Sequence, residues 1–172
     1  NFDVSLVSTT IKDVEILGKT LTYTGGAQEL VSVTKIEGGV FQGCSALAQV
    51  ELSDNITSIG NAAFYGCTSL TRVVLPRDIS EVAQSTFYGC TKLEYVELPF
   101  GLKSIGKSAF AGCQSLTEVY CKPKTPPTLG TNAFSRNADG RKIYIHSGLI
   151  DTYKQAAVWS DYADSFAPAD FY

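Results

Sequence analysis

Apolar residues recur along this chain at fixed steps. Phe-x-Gly-Cys occurs at Phe41-Gln42-Gly43-Cys44, Phe64-Tyr65-Gly66-Cys67, Phe87-Tyr88-Gly89-Cys90 and Phe110-Ala111-Gly112-Cys113, 23 residues apart each time. Three residues after each Cys stands Leu47, Leu70, Leu93 or Leu116, and three further on Val50, Val73, Val96 or Val119. Two more residues lead to Leu52, Leu75, Leu98 or Cys121. A second apolar pair follows, Ile56 with Ile59, Ile79 with Val82 and Leu102 with Ile105, and Phe134 continues the series one residue late. The Val-x-Leu alternation predicts a short strand with every other side chain inward. The Gly after each Phe marks a tight turn, and Pro76 and Pro99 close two strands where a missing N–H does least harm. A unit this short cannot bury its own apolar face, so it is stable only when neighbours stack and share a core. The pattern therefore predicts a β-rich solenoid whose coils advance by about 4.8 Å, the inter-strand distance. One short strand per 23-residue coil joins a parallel sheet.

The Leu-x-x-Val-x-Leu spacing falls within the leucine-rich-repeat signature, which places the chain in the α/β horseshoe class of solenoids. Both ends of such a stack need lids. Residues 1–34 lack the repeat and read as an N-terminal cap, with alternating segments at Asp13 to Leu17 and Thr20 to Thr24 able to cover the first coil. Repeats occupy residues 35–140. Residues 141–172 read as a C-terminal cap: after a Pro-rich link, Lys122 to Pro127, come a strand at Lys142 to Ile145 and a helix from Ser147. Ser147 is the expected N-cap, with Ile150, Tyr153 and Ala157 along one helix face. Trp159, the only Trp, is placed to plug the open end.

The string Ile-Gly-x-x-Ala-Phe-x-Gly-Cys-x-x-Leu-x-x-Val-x-Leu-Pro stands almost whole from Ile59 to Pro76 and from Ile105 to Val119. It resembles the BspA-like class of leucine-rich repeat, over about residues 36 to 135. The tail from Ile143 to Tyr162 is similar to the closing segment of such proteins from Bacteroides-type bacteria. The resemblance implies a protein at the cell surface or outside the cell, of a kind in which some members act as adhesins for host matrix proteins or other microbes. Two coils depart from the pattern, the first with Glu37-Gly38-Gly39-Val40 and the third with Val82-Ala83 in place of Ile-Gly.

Composition narrows the partners. The chain has 172 residues, 44% hydrophobic and 18% charged, which suits one folded domain. With 14 basic against 17 acidic residues it carries no electrostatic footprint for nucleic acid or an anionic bilayer. No apolar stretch approaches the roughly 20 residues needed to span a membrane. The chain starts at Asn1 and contains no Met, which reads as a processed or truncated product.

Candidate chemistry is sparse. The five Cys recur once per coil rather than in close pairs, so neither a metal site nor any cofactor is expected. Thiols about 4.8 Å apart with parallel side chains also suit disulfides poorly. Cys44, Cys67, Cys90 and Cys113 read as an internal column of free, small apolar fillers, with Cys121 buried in a Leu slot. His146, the only imidazole, lies at the junction into the cap rather than beside a nucleophile. Glu51 and Glu97 fall about 10 Å apart on a solvated face, with no cleft to desolvate either. Asn55-Ile56-Thr57 fits a glycosylation acceptor, a weak pattern whose Ile56 is expected to be buried.

No catalysis is expected, so function falls to the outward columns of the strands: Gln49, Arg72, Tyr95, Glu118 and Glu51, Val74, Glu97, Tyr120. Arg72, Tyr95 and Tyr120 lead, because Arg and Tyr dominate binding energy at interfaces. Tyr65 and Tyr88 share another column, where stacked rings either hold a partner or cover the turn. The expected partner is a host or microbial surface protein, with a glycan as the second class. An architectural spacer in a larger surface protein and, more remotely, a carbohydrate-active enzyme stand as the other readings.

Overall fold

The computed structural model describes Asp13–Ile16, Lys19–Thr22 and residues 34–171. Strands β1 (Asp13–Ile16) and β2 (Lys19–Thr22) form an antiparallel hairpin within the expected N-terminal cap. The packing of that cap on the first coil lies outside the described residues. The coils then carry β3 (Lys35–Ile36), β4 (Ser58–Ile59), β5 (Arg72–Val74), β6 (Glu81–Val82), β7 (Tyr95–Leu98), β8 (Ser104–Ile105), β9 (Glu118–Cys121), β10 (Thr128–Leu129) and β11 (Lys142–His146). Helix α1 (Ile150–Gln155) and β12 (Phe166–Ala169) follow.

The expected parallel sheet is present. Strands β5, β7, β9 and β11 pair in register, and β12 closes the sheet beside β11. In the first coil the equivalent segment around Gln49 and Glu51 forms no strand, although the Thr71 N–H still reaches the Ala48 carbonyl at 3.2 Å. The structure adds a second, two-residue strand to every coil at the position of Ile59, pairing β3 with β4 and joining β6, β8 and β10. Between the sheets the turns are also tied coil to coil, as where the amides of Phe64, Phe87 and Phe110 reach the carbonyls of Thr86, Ala109 and Ala133. Backbone polar groups that a lone coil would leave buried are thus satisfied by its neighbours.

The second sheet breaks between β4 and β6, where the third coil has Ala83 in place of the glycine. The reason is steric. A Cβ on Gly60 would lie 2.5 Å from the Gly38 amide nitrogen, and one on Gly106 would lie 2.7 Å from that of Gln84. Coils touch backbone to backbone at this slot, so a real Cβ at Ala83 forces two of them apart. The Asn61 side chain fills in, its Oδ1 accepting from the Gln84 N–H at 3.0 Å.

Phe41, Phe64, Phe87, Phe110 and Phe134 form a continuous spine, with ring centroids 5.1, 5.2, 5.3 and 5.3 Å apart and planes within 13° of parallel. All but Phe41 are buried. The separation exceeds the about 3.5–4.0 Å of carbon–carbon contact, so the rings stack slipped, the arrangement their quadrupoles favour. Beside the spine run the thiols. Cys67, Cys90 and Cys113 are buried and unpaired by disulfides, as is Cys121, while Cys44 is half-buried. The reading of the column as apolar filler needs correction, because its three buried thiols each have a polar task. Sγ of Cys67, Cys90 and Cys113 donates to the carbonyl of Phe41, Phe64 and Phe87 in the preceding coil, at 3.1, 3.1 and 3.2 Å. In the fifth coil Asn137 takes the Cys slot and donates Nδ2 to the Phe110 carbonyl at 2.8 Å, and Arg141 Nη1 serves Phe134 at 2.8 Å. The slot selects a donor for a buried carbonyl.

Burial drives the thiols toward the neutral form. The pKa of Cys67, Cys113 and Cys121 is pushed up to about 12, and those of Cys90 and Cys44 are also raised by desolvation. Since the thiolate is the nucleophile, a disulfide-exchange reagent should modify no more than one thiol, Cys44, in the native chain and all five in guanidinium. Two or more fast thiols in the native protein would contradict this packing.

The cap closes the other end. His146, not Ser147, is the capping residue of the first turn, its Nδ1 accepting from the Gly148 N–H at 3.2 Å. That turn, Ser147–Leu149, is 3₁₀ and leads into α1. Tyr153 is buried, Ile150 half-buried, and Ala157 lies exposed beyond the helix end. Trp159 is 1% exposed, lies 6.3 Å from the Phe134 ring and donates Nε1 to the Pro127 carbonyl. The Tyr153 hydroxyl donates to the Pro123 carbonyl at 2.8 Å. Two aromatic donors thereby pin the lid to carbonyls of the Pro-rich link.

Candidate functional site

In-register pairing sets the outward residues of the long sheet in rows. Arg72, Tyr95, Glu118 and Lys142 form one row, and Val74, Glu97, Tyr120, Tyr144 and Ala167 the next. The structure brings together Arg72, Tyr95, Glu97 and Tyr120. The Arg72 guanidinium carbon lies 3.8 Å from the centroid of the Tyr95 ring, a cation–π contact. Tyr95 and Tyr120 have centroids 5.1 Å apart, and Tyr120 and Tyr144 stack at 4.6 Å. Phe171 meets Tyr120 edge-on at 6.4 Å. The result is a staircase of one guanidinium and three tyrosines, running from β5 to β11.

Glu97 does not belong to a merely solvated face. Its Oε2 accepts the Tyr95 hydroxyl at 2.9 Å, and its Oε1 pairs with Lys122 Nζ at 2.5 Å. Burial pushes its pKa up, but the hydrogen bonds from Lys122 and Tyr95, with the charges of Lys122 and Arg72, outweigh this and hold it below the ordinary carboxylate value. Tyr95 moves the other way. Burial, reinforced by donation to Glu97 and by the charge there, pushes it up to about 12 against the opposing pull of Arg72. Burial likewise raises Tyr120, with Glu118 adding to it. All three groups thus keep their ordinary states at neutral pH: a carboxylate and two phenols.

Gln49 and Glu51 are exposed on the strandless first coil, and Glu118 is half-buried in the row of Arg72. Val74 is 39% exposed. Tyr65 and Tyr88 stack on each other at 4.9 Å on a different side of the coil, and Arg136 Nη2 donates to the Tyr88 hydroxyl at 2.6 Å. Ala111, their counterpart in the fourth coil, is buried.

Tyr144, Lys122 and Phe171 were missed as members of the long-sheet face. Tyr144 was legible, since Lys142-Ile143-Tyr144-Ile145-His146 alternates with the same parity as the strand of Tyr120, 24 residues earlier. Lys122 follows Tyr120 by two and shares its face. Phe171 had no such signal.

Elsewhere, an open hollow of about 330 Å³ sits at the break in the second sheet, bordered by Thr57, Ser58, Asn61, Ser80 and Glu81. Among the described residues that border it, Glu81 supplies the one carboxylate. Among the described residues no group of three or more His, Cys, Asp or Glu is placed to hold a metal ion. Nor is any helix among them long and apolar enough to cross a membrane.

Known proteins share this architecture. The chain is similar to a leucine-rich-repeat protein from Bacteroides ovatus at 32% identity and a TM-score of 0.55, over 65% of this chain and 28% of that one. It is similar to the leucine-rich-repeat protein of T. pallidum at 31% identity and a TM-score of 0.60, over 66% of this chain and 52% of that one. A leucine-rich cell surface protein from Faecalibacterium prausnitzii aligns at 27% identity and a TM-score of 0.60, over 81% of this chain and 34% of that one. The chain thus spans about a quarter to a half of the length of these relatives. No curated protein sequence matches it. The BspA type leucine-rich-repeat region matches residues 30–157 in six copies, and this chain belongs to that family.

Proposed function

We propose that this chain is a non-catalytic protein-binding module at the outside of a bacterial cell, serving adhesion, with the long-sheet face of coils two to five as its contact surface. The observation that carries the reading is the ordered staircase Arg72, Tyr95, Tyr120 and Tyr144. Tyr and Arg anchor most protein interfaces, and side chains already held in place lose little entropy on binding. A pure spacer has no use for such a row. The stacking also favours protein over glycan. The faces of Tyr95 and Tyr120 are turned on their neighbours in the row and Arg72 covers the first of them, so ring edges remain for a partner. Recognition of a sugar by stacking needs a bare ring face. Tyr65 and Tyr88 are assigned the role of covering the turn, with Arg136 braced against Tyr88.

The test is a screen of the purified chain against immobilised extracellular-matrix proteins and a glycan array, repeated with Tyr95→Ala and Tyr120→Ala together. A protein ligand should appear, and the double variant should weaken it by about tenfold or more, as loss of hot-spot residues does. Undiminished binding by the double variant would discard this face.

A further inference from the structure

We infer that this face receives an acidic segment of a partner protein, with a carboxylate forked onto Arg72. The inference rests on the protein-binding reading above. Its starting point is an imbalance of charge. Ion pairs among the described residues join Lys35 to Glu37, Arg77 to Asp78 and Lys122 to Glu97, and Arg72 belongs to none. The one carboxylate knitted into the staircase, that of Glu97, is neutralised by Lys122 and hydrogen-bonded by Tyr95. Glu118 stands two strands from Arg72, in register with Lys142. Beyond the charge of Glu97, which Lys122 already pairs directly, the cation has no answering anion among the described residues.

Its geometry suits one from outside. A guanidinium carries five N–H donors in one plane, so with its carbon 3.8 Å from the Tyr95 ring centroid and a hydrogen bond to the Tyr95 side chain it still keeps donors for a planar carboxylate. The stack also holds the long side chain in place, which reduces the cost of ordering it on binding. Arg72 is exposed, and Val74 beside it on the same face of β5 supplies apolar ground for a neighbouring side chain of the partner. Arg72 thus reads a carboxylate, while the tyrosine edges read what flanks it.

A phage-displayed random peptide library panned on the full chain tests this, with parallel panning on Arg72→Gln, Arg72→Lys and the Tyr95→Ala, Tyr120→Ala double variant. Peptides enriched on the native chain should carry Asp or Glu well above the library frequency. Their synthetic forms should bind Arg72→Gln about tenfold or more weakly, and Arg72→Lys with an intermediate loss, because an ammonium supplies charge without the fork. An unchanged thermal midpoint shows that the variants fold. Enriched peptides that need the tyrosines but are neutral or basic, or acidic ones indifferent to Arg72→Gln, overturn the inference and leave the protein-binding reading standing. So does Arg72-dependent binding of heparin in the absence of any acidic peptide. If no enriched peptide depends on the tyrosines, both fall.

Discussion

Phe87→Ala should lower the unfolding free energy of this chain by about 3–5 kcal/mol, the cost usually seen for removing a fully buried aromatic ring. Phe87 is inaccessible to water and stacks on Phe64 on one side and Phe110 on the other. In a solenoid each coil is held by its two neighbours, so a cavity at the middle of the spine weakens two interfaces at once. The same change at Phe41, half-buried and stacked among the described residues on Phe64 alone, should cost about half as much by that nearest-neighbour logic. Urea unfolding followed by far-UV circular dichroism and by the fluorescence of Trp159 measures both. The two signals should coincide in the native chain and separate in Phe87→Ala, because the cap and the first coils then lose their common support. Equal costs at Phe41 and Phe87 would mean that the spine does not couple the coils.

Gly106→Ala should cost about 3 kcal/mol or more, at or beyond the upper end for overpacking. The added Cβ would lie 2.7 Å from the Gln84 nitrogen and 2.8 Å from the Ala83 carbonyl carbon. Backbone cannot swing aside as a flexible side chain does, and the Gly106 N–H is itself bonded to the Val82 carbonyl at 2.7 Å. Gly89→Ala is the control. A Cβ there meets nothing within 4 Å, and only the left-handed backbone, at φ +71°, opposes it, for a cost of about 1–2 kcal/mol. The third coil reports the outcome in advance, since Ala83 occupies the equivalent slot and the second sheet is interrupted there. Ala83→Gly should accordingly close the ladder and raise hydrogen-exchange protection around Val82. Equal destabilisation by Gly106→Ala and Gly89→Ala would remove the steric account of the break.

Much of the fold was legible because a solenoid repeats its contacts. Phe64 meets Phe87 for the same reason that Phe87 meets Phe110, so a period of 23 residues names the spine, the thiol column and the inward strand positions at once. The same logic placed Arg72, Tyr95, Glu97 and Tyr120 on one face. It was silent on the polar work of the thiols, because a Cys in a buried slot reads as a small apolar residue. The replacement by Asn137 was the clue, since Asn shares with Cys the capacity to donate rather than any apolar character. The pairing of Glu97 with Lys122 was hidden for another reason: it links residues 25 apart, just off the repeat, across a strand end.

Sequence by itself determined which slots look inward and in what register they stack, because burying an apolar face against an equivalent coil admits one periodic solution. Tertiary structure alone decided the rest. It added the second strand of each coil and its interruption at Ala83, the return of β12 along β11, and the joining of Phe171 from the cap to the tyrosines of the coils. These depend on how closely two backbones approach and which way a side chain leans, quantities set by contacts between coils that no single repeat contains.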